Sequence, residues 1–567
     1  MVEERCFSWP SGESILSWLF GHLASVIDDP RRRSSAPHPP YRGRFASPDF
    51  PEETEGFPPR GRGDYPAADH SAAPSFAAIQ TSVMDECREL VPTVPPARPG
   101  TPSRRSNATP PLLHRLKSFF QPKTDYRANW EILNQSHRPG FIRAILPVGA
   151  FRRRQSALSR LELVTAVDSV AELADYFSAL PIAKNIVTPE PGRIELTLVV
   201  DAIVPGLRQV PLIIHAVRPE EFLTTALFET CGIADRAALI KSAAERGMTL
   251  DRSGLYSRGR RIFIPSFEAF FEQLGLENIP AERLDSGYGF PQRGSASDRL
   301  VTLDDLQGDL HMHTTYSDGS GTVEEMIAEA MRLGHRYIAL TDHTERCYTQ
   351  GGMDTVRFRQ YWRRIDQINR QFASMGNPFR ILKGAEVDIL PDGSLDMERD
   401  LLAMSDWIIA SIHFDQVMPR EQIHRRIESA LANPYVCAIA HPTFRTFTSD
   451  FRLDLDPDFL IDRARTYGKF LEINSQPRRL DLDETLSRRA KDHGVRLVIS
   501  TDSHAPHQLG CLRYGVNVAR RAGLTPKDVL NTLSLQDLMA VRNEIFEYNE
   551  LEMFARWHQT LDDSPSQ

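Results

Sequence analysis

The sequence predicts an α/β protein: a parallel sheet or barrel of repeated βα units in the C-terminal half, behind a smaller mixed region. Three observations predict it. Between about Val301 and Ile545, seven short apolar runs alternate with amphipathic helical stretches. Between about Leu113 and Asp285, β-branched runs and helix-spaced segments mix without that strict alternation. Ahead of both, 17 of the 40 prolines crowd into Pro30–Pro111, among few large apolar groups. At 567 residues, 41% hydrophobic and 25% charged, the chain can bury a sizeable core.

Residues 1–112 are therefore expected to be mostly disordered. Within them Ile15–Ile27 (ILSWLFGHLASVI) reads as a short amphipathic helix: its flank is acidic and it falls short of the ~18 apolar residues of a membrane span. The clusters Arg31–Arg33 and Arg104–Arg105 interleave with Glu52, Glu53 and Glu55, the pattern of a solvated tail, with a loose nucleic-acid-binding arm as the alternative. From Leu113 onward, LELVTAV, IELTLVVDAIV and VPLIIHAV read as strands, and DRAALIKSAAERG and PSFEAFFEQLG as helices. A Gly/Ser/Arg-rich link, GYGFPQRGSASDR, precedes the third region. The expected units are 1–112, 113–295 and 300–548, with a C-terminal tail over 549–567. Six scattered cysteines without a C-x-x-C pair argue against a disulfide framework and for a cytoplasmic location. A net charge of -8 excludes gripping nucleic acid by bulk positive charge and leaves room for a local basic groove.

The chemistry lies where the seven runs end. GDLHMH carries His311 and His313 and leads to Asp318. YIALTDH ends in His343, RILKGAEVD carries Glu386, WIIASIH ends in His413 and CAIAH in His441. RLVISTDSH ends in Asp502 and His504, while FLEIN ends without an obvious ligand. In α/β folds the reacting groups collect at that edge of the sheet. Of ten histidines in this region, six sit at such ends. The other four (His335, His424, His493, His507) fall in helix-like or loop stretches and read as structural. The i, i+2 spacing of His311 and His313 directs both to one face of an extended segment. Imidazole with carboxylate suits Zn²⁺, Mn²⁺ or Fe²⁺ better than Mg²⁺ or Ca²⁺. Six imidazoles and three carboxylates can satisfy more than one ion. Three ions would bring +6 against -3, a surplus favouring a phosphate and a metal-bound hydroxide. This is equipment for phosphoester hydrolysis, and no Ser-His-Asp, Cys-His or phosphate-loop motif competes with it.

GDLHMHTTYSDGS, ALTDHT, GAEVDILPDGSLD, ASIHF, AHPT, EINSQPRRLDL and STDSHAPHQL resemble the successive motifs of the PHP (polymerase and histidinol phosphatase) metallophosphoesterases. They are nearest to the PHP domain at the C-terminus of bacterial X-family DNA polymerases. The resemblance implies a distorted (β/α)7 barrel and three divalent ions, Zn²⁺ or Mn²⁺ with Fe²⁺ as a further option. It implies His311, His313, Glu386 and Asp502 on the first ion, a bridging Glu386 with His413 and His441 on the second, and Asp318, His343 and His504 on the third. Arg445 (HPTFR) and Arg479 (PRRLD) are candidates for holding substrate phosphate, because the guanidinium fork matches phosphate oxygens. Asp342, beside His343, is a candidate for orienting a ligand from behind, with loop capping as the alternative.

The middle region resembles the palm and thumb of the same polymerases. PVGAFRRRQSALSRLELV resembles their nucleotide-binding motif; ERGMTLDRSGLY and FEAFFEQLGLENIPAERL resemble the thumb. By that resemblance the first catalytic Asp is replaced by Arg160, the second by Glu162 and the third by Glu195. A guanidinium in place of a ligand oxygen should abolish two-metal nucleotide transfer. Arg152, Arg153 and Arg154 read either as DNA-backbone contacts or as a solvated basic loop. The function expected is a metal-dependent phosphoesterase acting on DNA ends in repair: 3′→5′ trimming, 3′-phosphate removal or abasic-site cleavage. DNA is the expected partner, with no membrane involved. The alternatives are a small-molecule phosphatase of the histidinol-phosphate type and a non-catalytic DNA-binding or assembly protein.

Overall fold

Two large sheets organise the described residues. The computed structural model describes residues 141–179, 183–199, 209–287, 289–294, 299–447 and 449–547. The expectations for 1–112, with the helix at Ile15–Ile27, and for a tail over 549–567 lie outside the described residues.

The first sheet holds β1 (Ile142–Pro147), β2 (Leu161–Val167), β3 (Ala183–Glu190), β4 (Arg193–Val199) and β5 (Gln209–Val217), in the order β1-β2-β5-β4-β3. β2 and β5 run parallel and the other pairs antiparallel. Strict alternation in β4 (RIELTLV) sends Ile194, Leu196 and Leu198 into a core with Leu163, Phe177 and Ile214. The opposite face meets the helix Phe222–Thr230 around Val148, Val164 and Ala226. A small sheet of β6 (Met248–Leu250), β7 (Leu255–Ser257) and β8 (Arg260–Arg261) joins the helices Ile233–Glu245 and Phe267–Gln273 round Phe270 and Phe271. β2, β4, β5 and the helices Ile233–Glu245 and Phe267–Gln273 fall where the sequence predicts them; the sequence does not predict β1, β3, the small sheet or the helix Phe222–Thr230.

The second sheet has seven parallel strands in sequence order: β9 (Gly308–Asp309), β10 (Tyr337–Leu340), β11 (Arg380–Asp388), β12 (Trp407–Ser411), β13 (Val436–Ile439), β14 (Phe470–Asn474) and β15 (Leu497–Ser500). A helix follows each strand, from Val323–Leu333 after β9 to Leu512–Arg521 after β15. Strands covered on both sides by helices bury both faces, which is why they read as unbroken apolar runs. The sheet curls almost into a closed barrel. Just past the ends of β9 and β15, the His313 amide donates to the Ser503 carbonyl at 2.8 Å. The Asn531 amide group spans the same seam, donating to the carbonyls of Gly308 and Ile499. Helix starts are written locally: Thr322 and Glu325 form a capping box, and Asp354, Asp456 and Asp483 each cap the helix that follows.

Glu282 and Arg154 link the middle region to the barrel. Within the middle region, Arg153 pairs with Asp285 at 2.8 Å and Arg154 with Glu282 at 3.0 Å. Arg520 meets the same buried Glu282 at 2.8 Å, and Arg154 also donates to the Asn517 side chain. Arg152 stacks on the Phe267 ring. The basic run is therefore engaged within the protein and is not a merely solvated loop. The carboxylates that claim it come from a turn about 130 residues later, which no local pattern announces.

Candidate metal centre

Parallel strands end at one rim of the barrel, so side chains distant in sequence meet there. His311 and His313 lie on the extended segment after β9, Asp318 in the loop that follows it, Glu386 near the end of β11, and the others just beyond β10, β12, β13 and β15. At His441 (φ 28°) and Asp502 (φ 51°) the backbone is left-handed, a strained conformation for such residues that turns the chain sharply off the strand.

All nine candidate ligands converge on Glu386 or on a neighbour of it. Glu386 Oε2 lies 3.1 Å from His343 Nδ1, 3.3 Å from His311 Nε2 and 3.5 Å from His313 Nε2. Its Oε1 lies 2.9 Å from His441 Nε2 and 3.3 Å from His413 Nε2. Asp502 Oδ1 is 3.2 Å from His313 Nε2 and 3.5 Å from His311 Nε2. Asp318 Oδ2 faces His504 Nε2 at 3.2 Å and His343 Nε2 at 3.6 Å. His313 stands between two groups, its Nδ1 3.7 Å from Asp318. Four sets of ligand atoms each fall within 4.8 Å of one another: His311/His313/Asp502, Glu386/His413/His441, His313/Asp318/His343/His504 and His343/Cys347/His413.

The electrostatics of this crowd are strained without cations. Burial pushes Glu386 up, but the charge of His413, His311 and His343 outweighs it and holds the carboxyl well below its usual range. His343 shows the converse: burial pushes it down, yet the Glu386 carboxylate and Asp318 raise it to about 10. His313 is driven down to about 4 by burial and by the positive charge of His504 and His343. Glu386 Oε2, His313 Nδ1 and His343 Nδ1 are buried without a hydrogen-bond partner. Each such atom costs ~1–3 kcal/mol unless something satisfies it. The nitrogen-and-oxygen donor set, with several lone pairs facing one another, fits borderline divalent ions.

A ring of supporting residues lies behind these side chains. Glu472 Oε1 accepts from His311 Nδ1 at 2.8 Å, while Oε2 accepts the His441 amide at 2.6 Å. Ser500 and Asn474 donate to the same carboxylate. Asp388 accepts the His413 amide at 2.8 Å and lies 3.5 Å from its Nδ1. Carboxylates in this position set the tautomer of a metal-binding imidazole. FLEIN, which showed no obvious ligand in the sequence, supplies one supporting carboxylate, Glu472, at mid-strand. Asp342 accepts five hydrogen bonds, from the amides and hydroxyls of Thr314 and Ser317 and from the Tyr361 hydroxyl. These hold the loop that carries Asp318. Arg479 stands beside the centre, 3.8 Å from Asp502, with Nη1 buried and unpartnered. Arg445 is turned toward the Leu480 carbonyl and Asp483 and lies over Phe447.

A fifth cluster sits on the first sheet: Glu162, His215 and Glu229. Glu195, expected to stand in for the third palm carboxylate, lies on β4 with β5 between it and Glu162, so about 10 Å away across the sheet. It pairs with Arg193 at 2.6 Å instead. The carboxylate that does approach the Glu162 cluster is Glu229, from the covering helix.

The PHP domain family matches residues 309–447. The DNA polymerase/3′-5′ exonuclease PolX of Bacillus subtilis (strain 168) is 35% identical over 394 residues, covering 69% of this chain and 67% of that protein. A probable phosphatase of Thermoanaerobacter sp. (strain X514) is 30% identical over 235 residues, 40% of this chain and 89% of that one. A probable phosphatase of Acetivibrio thermocellus is 32% identical over 211 residues, 36% of this chain and 81% of that one. The barrel and its rim thus define a PHP phosphoesterase. More narrowly, the chain belongs to the bacterial X-family DNA polymerases that carry a C-terminal PHP domain.

Proposed function

We propose that the barrel rim holds three divalent ions, Zn²⁺ or Mn²⁺, and hydrolyses phosphoesters at DNA ends, while the palm no longer transfers nucleotides. The observation that carries the hydrolytic reading is the convergence of nine nitrogen and oxygen ligands round one buried carboxylate, Glu386. His311, His313, Glu386 and Asp502 would hold one ion, Glu386, His413 and His441 a second, and Asp318, His343 and His504 a third. Such ions supply Lewis acidity and an activated water at neutral pH. The chain's own contribution is to keep the imidazoles in register through Glu472 and Asp388 and to offer the free Nη1 of Arg479 to a substrate phosphate. Arg445, engaged with Asp483, would act by steadying the loop after His441. A polymerase-like unit, joined to the barrel through Arg520–Glu282 and Arg154–Asn517, favours DNA over a free small-molecule substrate. So does the relative described as a polymerase and 3′-5′ exonuclease.

Two guanidinium groups support the loss of nucleotide transfer. Arg160 pairs with Glu162 at 2.8 Å and Arg252 with Glu229 at 2.7 Å, so cations of the chain itself occupy both carboxylates. Arg252 also donates to His215 Nδ1 at 2.7 Å. That leaves the proton on His215 Nε2, the atom facing Glu162 and Glu229, and denies its lone pair to a metal.

The test is hydrolysis by metal-loaded protein of 3′-labelled single-stranded and nicked DNA, 3′-phosphate DNA and histidinol phosphate. Turnover of a DNA end, abolished by His313→Ala, is the expected result. Turnover of histidinol phosphate alone would replace this reading with a small-molecule phosphatase. Full metal with no turnover would make the protein a binding or assembly factor.

A further inference from the structure

Two loops of the rim are laced together beside the centre. The Phe447 amide, in the loop after His441, donates to the Arg478 carbonyl at 2.8 Å, and the Thr443 amide donates to Asp481 at 3.0 Å. The lacing sets Phe444 between His441 and Arg479. Its ring stands edge-on to His441, with centroids 5.9 Å apart, and the Arg479 guanidinium lies over it, 5.2 Å from its centre. The backbone is strained on both sides of this contact: Phe444 has a left-handed φ of 56° and Leu480, next to Arg479, one of 49°. A bulky residue keeps that conformation only where its surroundings over-determine it, and such residues gather at functional sites. Packing alone does not require it. Arg479, for its part, is left uncommitted. The carboxylate of Asp502 is 3.8 Å away, beyond hydrogen-bond reach, and Nη1 is buried without a partner.

We propose that Phe444 is a positioning residue for phosphate binding: its ring holds the Arg479 guanidinium over one face, so that the edge N–H groups stay free for a substrate phosphate. The inference rests on the reading that the rim hydrolyses phosphoesters and that Arg479 meets the phosphate, and it adds what aims that arginine. A carboxylate in the place of Phe444 would hold the guanidinium through the same donors that a phosphate needs, and would cancel its charge. An aromatic ring attracts the cation through its quadrupole and takes up none of those donors. It also restricts a long side chain before the substrate arrives, so less rotamer freedom is lost on binding. The ring is itself steadied from behind, where Phe451 meets it edge-on at 6.2 Å.

The experiment is a double-mutant cycle on the metal-loaded full chain, with Phe444→Leu, Arg479→Ala and the two combined, and with Phe444→Tyr as the conservative variant. Hydrolysis of bis(p-nitrophenyl) phosphate, a phosphodiester without a base, reads kcat/KM, and calorimetry reads the affinity for inorganic phosphate. Phe444→Leu should lower both about fivefold with metal content unchanged, and Phe444→Tyr, which keeps the aromatic face, should recover most of the loss. In the Arg479→Ala background, Phe444→Leu should cost no more than about twofold. Phe444→Gly, which suits the left-handed backbone, gives the same reading if the leucine variant does not fold. Wild-type values in Phe444→Leu, an undiminished loss in the Arg479→Ala background, or loss of metal from Phe444→Leu overturns the positioning role and leaves the hydrolytic reading standing. Arg479→Ala with wild-type phosphate affinity overturns the phosphate contact and this inference with it. A loaded wild type that neither hydrolyses the diester nor binds phosphate overturns the hydrolytic reading as well.

Discussion

Glu472 offers the sharpest lever on the centre, because it acts on His311 and His441 without standing among the nine ligands. Replacing it by Gln keeps the size but turns one acceptor into a donor. The His311 Nδ1 proton at 2.8 Å and the His441 amide at 2.6 Å then compete for a single oxygen. If the amide nitrogen faces His311, the imidazole must present an acceptor at Nδ1 and carry its proton at Nε2. That is the atom lying 3.3 Å from Glu386 and 3.5 Å from Asp502, where an ion would bind. Loss of such a supporting carboxylate costs roughly 10–100-fold in metal affinity, or about 1.4–2.7 kcal/mol. The loss should fall mainly on the ion that His311 holds, leaving the others tighter. Competition against a graded series of chelators, with circular dichroism to verify the fold, measures it. A Glu472→Gln protein that binds every ion within about twofold of wild type would refute the reasoning.

Metal uptake should release protons. His311 and His413 are held well above the usual imidazole range, and His343 up to about 10, so the metal-free protein carries protons there that an ion must displace. The free form binds more protons than the loaded form below about pH 10, so apparent affinity should climb as pH rises from 6 toward 9. Calorimetry in buffers of different ionisation enthalpy should count on the order of two to three protons per chain, and a pH-independent affinity would contradict this. Arg479→Ala should lower kcat/KM for a phosphoester by about 10–150-fold, the ~1.5–3 kcal/mol of a charge-assisted hydrogen bond, with metal content unchanged. Arg479→Lys should recover little, since a point charge lacks the guanidinium fork. In the palm, Arg160→Asp alone should not restore primer extension with Mg²⁺ or Mn²⁺, because Arg252 still holds Glu229 and His215. Template-directed addition by the wild-type protein, abolished by Glu162→Ala, would show that the palm is active.

The ligand set was legible because each barrel strand is a short apolar run that stops at the rim, and a polar residue at such a stop has few structural reasons to be there. All seven runs became strands in the expected order, although the first is only Gly308–Asp309 before the chain turns to the seam. Glu472 was not legible, because a strand buried on both faces offers no alternation to say which residues point into the barrel. In the first sheet, the resemblance to the polymerase palm pointed to Glu195, whereas the structure draws its acidic group from a helix packed across the sheet. Arg153 and Arg154 misled for a related reason: a basic run looks solvated until its acidic partners arrive from remote turns.

The claim that Glu386 joins the centre is tested most directly by metal content. After loading with Zn²⁺ and exhaustive dialysis, mass spectrometry of the wild-type chain should find about three ions per chain, and Glu386→Gln should retain one or none. A Glu386→Gln protein that keeps the full complement, or a folded wild type that keeps none, would contradict the account.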